Sequence, residues 1–286
     1  MDSLRTVIFV DGQNFRKNLT EFSFEPSNKG GGKAYRLDEK HFKWRGFFQG
    51  IIEKFELYTK TKHRLVRVYW YNAEAITPFK EDRTLIKEIL HNYIGKFPKL
   101  TQDIIIELAK SWWEKERDYI QRAKDDIFDK IQTETDFLEF KYVGQYVVKP
   151  FSVYKFEKKS DGSYLYSGER QGEKGVDVGI VVDMISKMNY YDAAILISGD
   201  SDFLPVVRYI KDHLKQVYQF SIAQGVPPTI NYLSPYLKSV VDMFQFFDEK
   251  DLLEKYVIMD KIPTPIQKEI KDRIAKLKNP QNPSSP

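Results

Sequence analysis

The chain has 286 residues, of which 42% are hydrophobic and 15% aromatic, enough for one large α/β domain or one domain with an appendage. It contains no cysteine, which excludes disulfides and thiolate metal sites. The sequence starts directly with a strand pattern, and no apolar run reaches membrane-spanning length, so we expect a soluble, cytoplasmic protein with no membrane partner. The net charge of +4 is too small to indicate a nucleic-acid partner by itself.

Strands rich in Val, Ile, Tyr and Phe alternate with helical patterns, which predicts an α/β fold with a doubly wound parallel sheet. In chain order the predicted elements are strand 6–10, a polar loop with Gly30, Gly31 and Gly32, helix 38–59, strand 65–71, helix 79–94, helix 101–133, strand 140–148, hairpin 153–167 turning at SDGS, helix 176–188, strand 193–197, strand 217–222, helix 234–256 and a Lys-rich helix. The tail NPQNPSSP is expected to be disordered.

Acidic residues follow two of the predicted strands and open one helix. Asp11 ends the run TVIFVD, Asp200 and Asp202 follow the run ILIS, and Asp177 begins the helix before that second run. Ligands of open parallel sheets bind beyond the carboxyl ends of the strands, so these four acids are expected at one edge. Four carboxylates at one edge repel one another, and a divalent cation relieves that repulsion. Hard oxygen ligands point to Mg²⁺ or Mn²⁺ as the cofactor.

Each acid also has a purely structural interpretation. An Asp-Gly pair after a strand is a common turn, and Asp177, Asp200 and Asp202 lie where helices are capped. The convergence of all four acids on the edge where α/β proteins bind ligands favours a metal site over four unrelated caps.

The motifs FVDGQN, KGVDV and SGDSDF together resemble those of the NYN domain family, and more closely its LabA-like branch within the PIN-like nuclease superfamily. The resemblance runs in blocks from Thr6 to about Phe247. It implies a three-layer α/β/α sandwich with a central parallel sheet and metal-dependent ribonuclease chemistry. It also implies that Asp11, Asp177, Asp200 and Asp202 bind the metal, that Asn14 supports the first ligand or the attacking water, and that Ser198 and Asp183 are supporting residues.

The chain departs from the family pattern between Tyr71 and Phe140, where the connection is about twice the expected length. We therefore expect a nuclease domain over residues 1–247 with a helical insertion at about 79–136, and a C-terminal helical extension and tail over 248–286. The insertion is interpreted as a lid, a clamp or a dimerisation arm. A homodimer is therefore one of the oligomeric states that the sequence allows. Because the insertion carries ten acidic against six basic residues between Asp103 and Asp136, we do not expect it to bind phosphate groups. Trp112 and Trp113 are expected to pack rather than to stack on bases.

Basic residues and aromatics are mixed between Lys29 and Arg67, with eleven Lys/Arg against four Asp/Glu. That mixture suits contacts to a nucleic-acid backbone and stacking on bases, although a solvated amphipathic helix has a similar composition. The candidate substrate-binding residues are Lys40, Lys43 and Arg45 in this segment, Lys174 one turn before Asp177, and Arg208 in the helix after Asp202. The four histidines show no metal spacing and are expected at the surface: His41, His63, His91 and His213.

The function that the sequence favours is a Mg²⁺- or Mn²⁺-dependent endoribonuclease that uses a metal-activated water and leaves a 5′-phosphate and a 3′-hydroxyl. RNA is the expected partner. A DNA or flap nuclease with the same site is an alternative, because no feature of the sequence indicates recognition of the 2′-hydroxyl group that distinguishes RNA from DNA. A non-catalytic metal-dependent RNA-binding or interaction module also stays open. A phosphatase with an aspartyl nucleophile is disfavoured, because Gln13 stands where the second aspartate is needed.

Overall fold

The computed structural model describes residues 3–25 and 34–278. The predicted glycine loop at Gly30, Gly31 and Gly32 and the predicted disordered tail 279–286 lie outside the described residues. The chain divides into two compact units. The first unit comprises the described residues within Met1–Tyr71, Lys130–Lys141 and Asp177–Pro286, and the second comprises Asn72–Asp129 and Tyr142–Val176.

The structure contains strands in both units. In chain order they are β1 (Leu4–Asp11), β2 (Ser23–Phe24), β3 (Tyr35–Arg36), β4 (His63–Asn72), β5 (Ala75–Ile76), β6 (Leu138–Tyr142), β7 (Gln145–Lys158), β8 (Tyr164–Lys174), β9 (Ala193–Ile197), β10 (Gln216–Ile222) and β11 (Met243–Phe247).

The helices are α1 (Gly12–Thr20), α2 (Trp44–Thr59), α3 (Arg83–Tyr93), α4 (Gln102–Ala123), α5 (Asp129–Thr133), α6 (Val176–Ser186), α7 (Leu204–Asp212), α8 (Pro235–Val240), α9 (Glu249–Asp251) and α10 (Thr264–Lys278). Short 3₁₀ turns occur at Glu39–His41, Met188–Tyr190, Ser201–Phe203 and Met259–Lys261, and π turns at Lys124–Phe128 and Leu252–Tyr256. No helix of the described ranges is long and apolar enough to cross a membrane.

The first unit is built on a six-stranded sheet in the order β11-β10-β9-β1-β4-β6. β1 lies at its centre and pairs in parallel with β4 on one side and with β9 on the other. The pairs β9–β10 and β10–β11 are also parallel. The inner strands β1 and β9 are continuous apolar runs because both faces of the sheet are covered by helices.

Helices cover the two faces of this sheet and give the predicted α/β/α sandwich. On one face α2 buries apolar residues at three- and four-residue steps, and Trp44 meets Trp70 of β4 edge to face, with ring centroids 4.8 Å apart. On the other face α6 buries Ile180 and Met184, and Phe9 of β1 contacts Tyr191 with centroids 5.9 Å apart. The strand end that carries Asp11 is therefore enclosed between two packed layers.

The second unit has its own core. Its sheet has the order β5-β7-β8, in which β7 and β8 form a long antiparallel hairpin. α3 and α4 bury apolar residues against the hairpin, among them Ile105, Ala109 and Trp112. The expectation that Trp112 packs is confirmed, since its side chain is 6% exposed.

Most predicted elements are present, but two are wrong. The predicted strand 140–148 is two separate strands, β6 and β7, interrupted by a turn in which Gly144 has a positive φ of 68°. The predicted helix 234–256 contains only α8 and α9 with the following π turn, and between them lies the edge strand β11.

The expectation that all four histidines lie at the surface is wrong for two of them. His63 is 6% exposed, its Nδ1 lies 2.9 Å from the Thr6 hydroxyl, and burial lowers its pKa. His41 is 1% exposed, its Nδ1 accepts from the Asp38 backbone N–H at 3.1 Å, and its Nε2 lies 2.8 Å from the Tyr35 hydroxyl. Both act as structural hydrogen-bonding residues.

Candidate metal centre

Asp11 is the last residue of the central strand β1 and the N-cap of α1. Its side chain is only 5% exposed, because the strand delivers it between the two helical layers. Oδ1 accepts a hydrogen bond from the Asn14 backbone N–H at 3.0 Å, and Oδ2 accepts from the Ser198 hydroxyl at 2.8 Å. The turn after β9 and the start of α1 thus meet at one carboxylate.

The turn Ser198–Gly199–Asp200 is fixed by side chains from two other segments and by its own Ser198. Asn14 Oδ1 accepts from the Gly199 N–H at 3.0 Å, and the Ser198 hydroxyl accepts from the Asp200 N–H at 3.1 Å. Gln219 of β10 donates from Nε2 to the Ser198 carbonyl at 2.8 Å. Gln219 is fully buried, and sequence reasoning missed it because it lies in no motif.

A second loop, residues 224–233, closes against the same turn and is called the Tyr232 loop below. A Cβ on Gly199 would overlap the Tyr232 carbonyl oxygen and lie 2.6 Å from the Tyr232 carbonyl carbon, so only glycine fits there. The Ser234 N–H donates to the Gly199 carbonyl at 2.8 Å. Sequence reasoning missed this loop as well, since no residue type marks it.

Burial raises the pKa of Asp11 to about 6, and the negative charges of Asp177 and Asp200 add to the rise. The hydrogen bonds from Asn14 and Ser198 oppose it but do not cancel it. Asp177, in the first turn of α6, and Asp200, after β9, are therefore close enough to Asp11 to repel its charge. Asp177 and Asp200 therefore act on the charge of Asp11 at the carboxyl edge of the sheet.

Asp202 differs from the other three acids because its side chain is exposed. It lies in the 3₁₀ turn Ser201–Phe203, which Asp200 caps by accepting the Asp202 N–H at 3.0 Å. Asp200 therefore caps this turn and also adds its negative charge to the surroundings of Asp11.

Over residues 3–25 and 34–278, no three His, Cys, Asp or Glu side chains are close enough together to hold one ion in the present conformations. The donors near Asp11 are nonetheless all oxygens, and burial, with smaller additions from the charges of Asp177 and Asp200, raises its pKa. Mg²⁺ is commonly bound by one or two carboxylates and keeps several waters. Carboxylate oxygens are thus the kind of donor that a hard divalent cation takes together with water.

Asp183 lies six residues after Asp177 in α6 and has different partners. Its Oδ2 accepts from the Tyr71 hydroxyl at 2.8 Å, and its Oδ1 forms a salt bridge with Lys187 at 2.7 Å. Tyr71 is fully buried, its pKa is raised by burial and by this bond, and in the sheet it is the register partner of Asp11. Asp183 ties α6 to β4 beside the acidic cluster.

The candidate substrate-binding cations are scattered. Lys40 pairs with Asp38 at 3.0 Å, and Arg45 pairs with Asp136 at 2.8 Å. Lys43 and Arg208 are exposed, the latter on α7. Lys174 is the last residue of β8 and belongs to the second unit.

The interpretation of the 29–67 segment as a base-stacking surface is wrong for four of its aromatic residues, which lie in the first half of α2 or just before it. Phe42, Trp44, Phe47 and Phe48 are at most 3% exposed and form the core between α2 and the sheet. Their spacing is that of the buried face of an amphipathic helix. These four rings are not available to a base, whereas Tyr58 near the end of α2 is 55% exposed.

Comparison with known proteins gives one family match. The model of the NYN domain family matches residues 119–250, somewhat under half of the chain. The matched range contains Asp177, Asp183, Ser198, Asp200 and Asp202. It begins after β1 and α1 and so does not include Asp11 or Asn14. The match supports a nuclease kind of function.

No curated protein matches the chain. The crystal structure of a protein of unknown function from Vibrio parahaemolyticus is similar at 18% sequence identity and a TM-score of 0.39, covering 87% of this chain and 98% of that one.

Proposed function

We propose, on the premise that residues 119–250 match the NYN domain family, that this protein is a Mg²⁺- or Mn²⁺-dependent endoribonuclease of the LabA-like, PIN-like kind. The observation that carries the proposal is the buried Asp11 at the end of the central strand, with its pKa raised to about 6 beside Asp177 and Asp200. Clustered acids that destabilise the fold are typical of sites kept for function.

Asp11, Asp177 and Asp200 are the proposed ligands, joined by the exposed Asp202, which follows Asp200 by two positions. A divalent cation bound there would stabilise charge on the scissile phosphate and lower the pKa of a water. Each oxygen of Asp11 accepts one hydrogen bond in the structure, and a carboxylate oxygen has a second lone pair left for a ligand.

The protein's other residues orient these ligands. The Ser198 hydroxyl donates to Asp11 and accepts from the Asp200 N–H, so it fixes the spacing of two acids. Asn14 accepts the Gly199 N–H and holds the turn against α1. Water attack on phosphorus with departure of the 3′ oxygen, which takes up a proton, leaves a 5′-phosphate and a 3′-hydroxyl.

The test is cleavage of pooled RNA and of single-stranded DNA with Mg²⁺, Mn²⁺, Ca²⁺ or excess EDTA. We expect RNA cleavage with Mg²⁺ or Mn²⁺, less with Ca²⁺ because it prefers more ligands at longer distances, and none in EDTA. Full cleavage in EDTA would contradict the metal mechanism. Equal cleavage of DNA would favour the DNA or flap nuclease, and metal-dependent RNA binding without cleavage would favour the non-catalytic module.

A cytoplasmic location and a homodimer remain predictions of the sequence. Sedimentation of the purified full chain measures the oligomeric state directly.

A further inference from the structure

The Tyr232 loop carries an exposed aromatic side chain at the acidic turn. Tyr232 is 53% exposed, and its own carbonyl is the group packed against Gly199, between Ser198 and Asp200. An exposed tyrosine is ordinary by itself. Tyr232 differs from exposed tyrosines such as Tyr154 of the hairpin because its backbone contacts the turn that bears a proposed metal ligand.

The backbone of Tyr232 is held in an unfavourable conformation. Its φ is +54°, in the left-handed region that favours glycine and asparagine and is rare for bulky residues. Such strain persists where the surroundings fix it, and it is concentrated at functional sites. The surroundings here are defined: Gln224 and Thr229 exchange two backbone hydrogen bonds at 2.8 and 2.7 Å, and Ser234 binds Gly199.

The direction of the side chain is also constrained. The Tyr232 hydroxyl lies 3.4 Å from Glu21 Oε1, just beyond the end of α1, and the ring stays open to solvent. Among the described residues Arg208 of α7 has no salt-bridge partner and is exposed on the helix that follows the 3₁₀ turn of Asp202. The Tyr232 backbone lies against the turn that carries Asp200 and its ring is open to solvent, an arrangement that suits stacking on a nucleotide next to a phosphate held at that turn.

We propose that Tyr232 stacks on a base of single-stranded RNA next to the bond that is cut. The inference rests on the proposed function and deepens it, because it names an unpaired base as the feature recognised at the site. It also replaces the buried aromatics of α2, which are not available for stacking. Stacking on an aromatic ring accepts any base, so the expected preference is for unpaired over paired RNA rather than for one sequence.

The experiment measures binding of a labelled single-stranded RNA of about ten nucleotides by fluorescence anisotropy with Mg²⁺, in the Asp200→Asn background to prevent cleavage. Tyr232→Gly and Tyr232→Asn remove the ring and both tolerate the positive φ, so neither adds strain. Tyr232→Phe keeps the ring and loses the contact to Glu21. Tyr154→Ala removes an exposed ring from the second unit and is the matched control.

We expect Tyr232→Gly and Tyr232→Asn to weaken binding about 5- to 100-fold, and Tyr232→Phe and Tyr154→Ala to change it less than about twofold. A set of RNAs with one abasic nucleotide each should show one position that weakens binding to the parent and has no further effect in Tyr232→Gly. That loss of additivity separates stacking from a loop that has become more flexible, for which the abasic effect would persist.

Unchanged binding by Tyr232→Gly, a parent scan without any sensitive abasic position, or no RNA binding at all would each overturn the inference. Cleavage by the native chain is measured separately. If the native chain cleaves RNA but the Tyr232 substitutions leave RNA binding unchanged, the proposed function stands and the inference is wrong. A protein that binds RNA through Tyr232 without cleaving it loses the proposed function and retains the stacking contact.

Discussion

The hydroxyl of Ser198 lies 2.8 Å from Oδ2 of Asp11, across 187 positions of sequence. Because this bond favours the ionised carboxylate, removing it in Ser198→Ala should raise the pKa of Asp11 further and leave the Asp200 N–H without its acceptor. We expect weaker cleavage at neutral pH that partly recovers as the pH rises. The check is the pH profile of kcat/KM for both proteins; parallel profiles would show that Ser198 acts on folding alone.

Asp11→Asn should stabilise the metal-free protein in a pH-dependent way. The pKa of Asp11 is raised to about 6 in the folded state, so the folded state holds the proton more tightly than the unfolded chain. Ionisation therefore destabilises the fold as pH rises from about 4 to about 6, and the full effect, about 2 to 3 kcal/mol, is present above pH 6. Urea unfolding in EDTA at pH 8 should show most of this gain in the variant, and unfolding near pH 4 little of it. An equal gain at both pH values would mean that the charge is not the cause.

Gly199→Ala should destabilise the protein because a methyl group there overlaps the Tyr232 carbonyl, which belongs to the backbone and cannot turn away. Overpacking of this kind costs about 1–3 kcal/mol. Gly46→Ala in α2 is the matched control, since its Cβ would meet nothing within 4 Å, and it should gain about 0.5–1 kcal/mol from helix propensity. Equal melting temperatures for the two variants would contradict the close approach of the Tyr232 loop.

Two acids of α6 should respond differently to the same substitution. Asp177→Asn should abolish cleavage, because Asp177 is a proposed ligand whose charge acts on Asp11. Asp183→Asn should lose about 10- to 100-fold, the usual effect of a residue that supports a ligand, because its partners are Tyr71 and Lys187. Metal affinity measured by calorimetry separates them further. Abolished activity in Asp183→Asn with unchanged stability would make Asp183 a ligand.

The elements that could be predicted are those whose residue pattern is evident within a short stretch of sequence. β1 and β9 contain apolar runs, as parallel strands covered on both faces require, and β4 and β10 are rich in Val and aromatic residues. β11 was lost inside a predicted helix because Met243, Phe244 and Phe247 fit a helical period as well as a strand, an ambiguity typical of short apolar runs.

In the candidate site, too, residues that belong to a motif could be predicted and residues without a motif could not. The acids could be predicted because they follow two strand ends and open α6, whereas Gln219 and Tyr71 act through partners distant in sequence and carry no motif. The aromatic residues of α2 were misread because stacking surfaces and buried helix faces share a composition, and only the packing distinguishes them.

The turn between Ser198 and Asp202 has a further property that follows from its hydrogen bonds. The amide hydrogens of Gly199, Asp200 and Asp202 are bonded to the side-chain oxygens of Asn14, Ser198 and Asp200. Amide deuterium uptake in this segment should therefore be slow, as in a strand. Asn14→Ala should release one of these amides and speed its exchange, so the rigidity of the turn can be followed one hydrogen at a time.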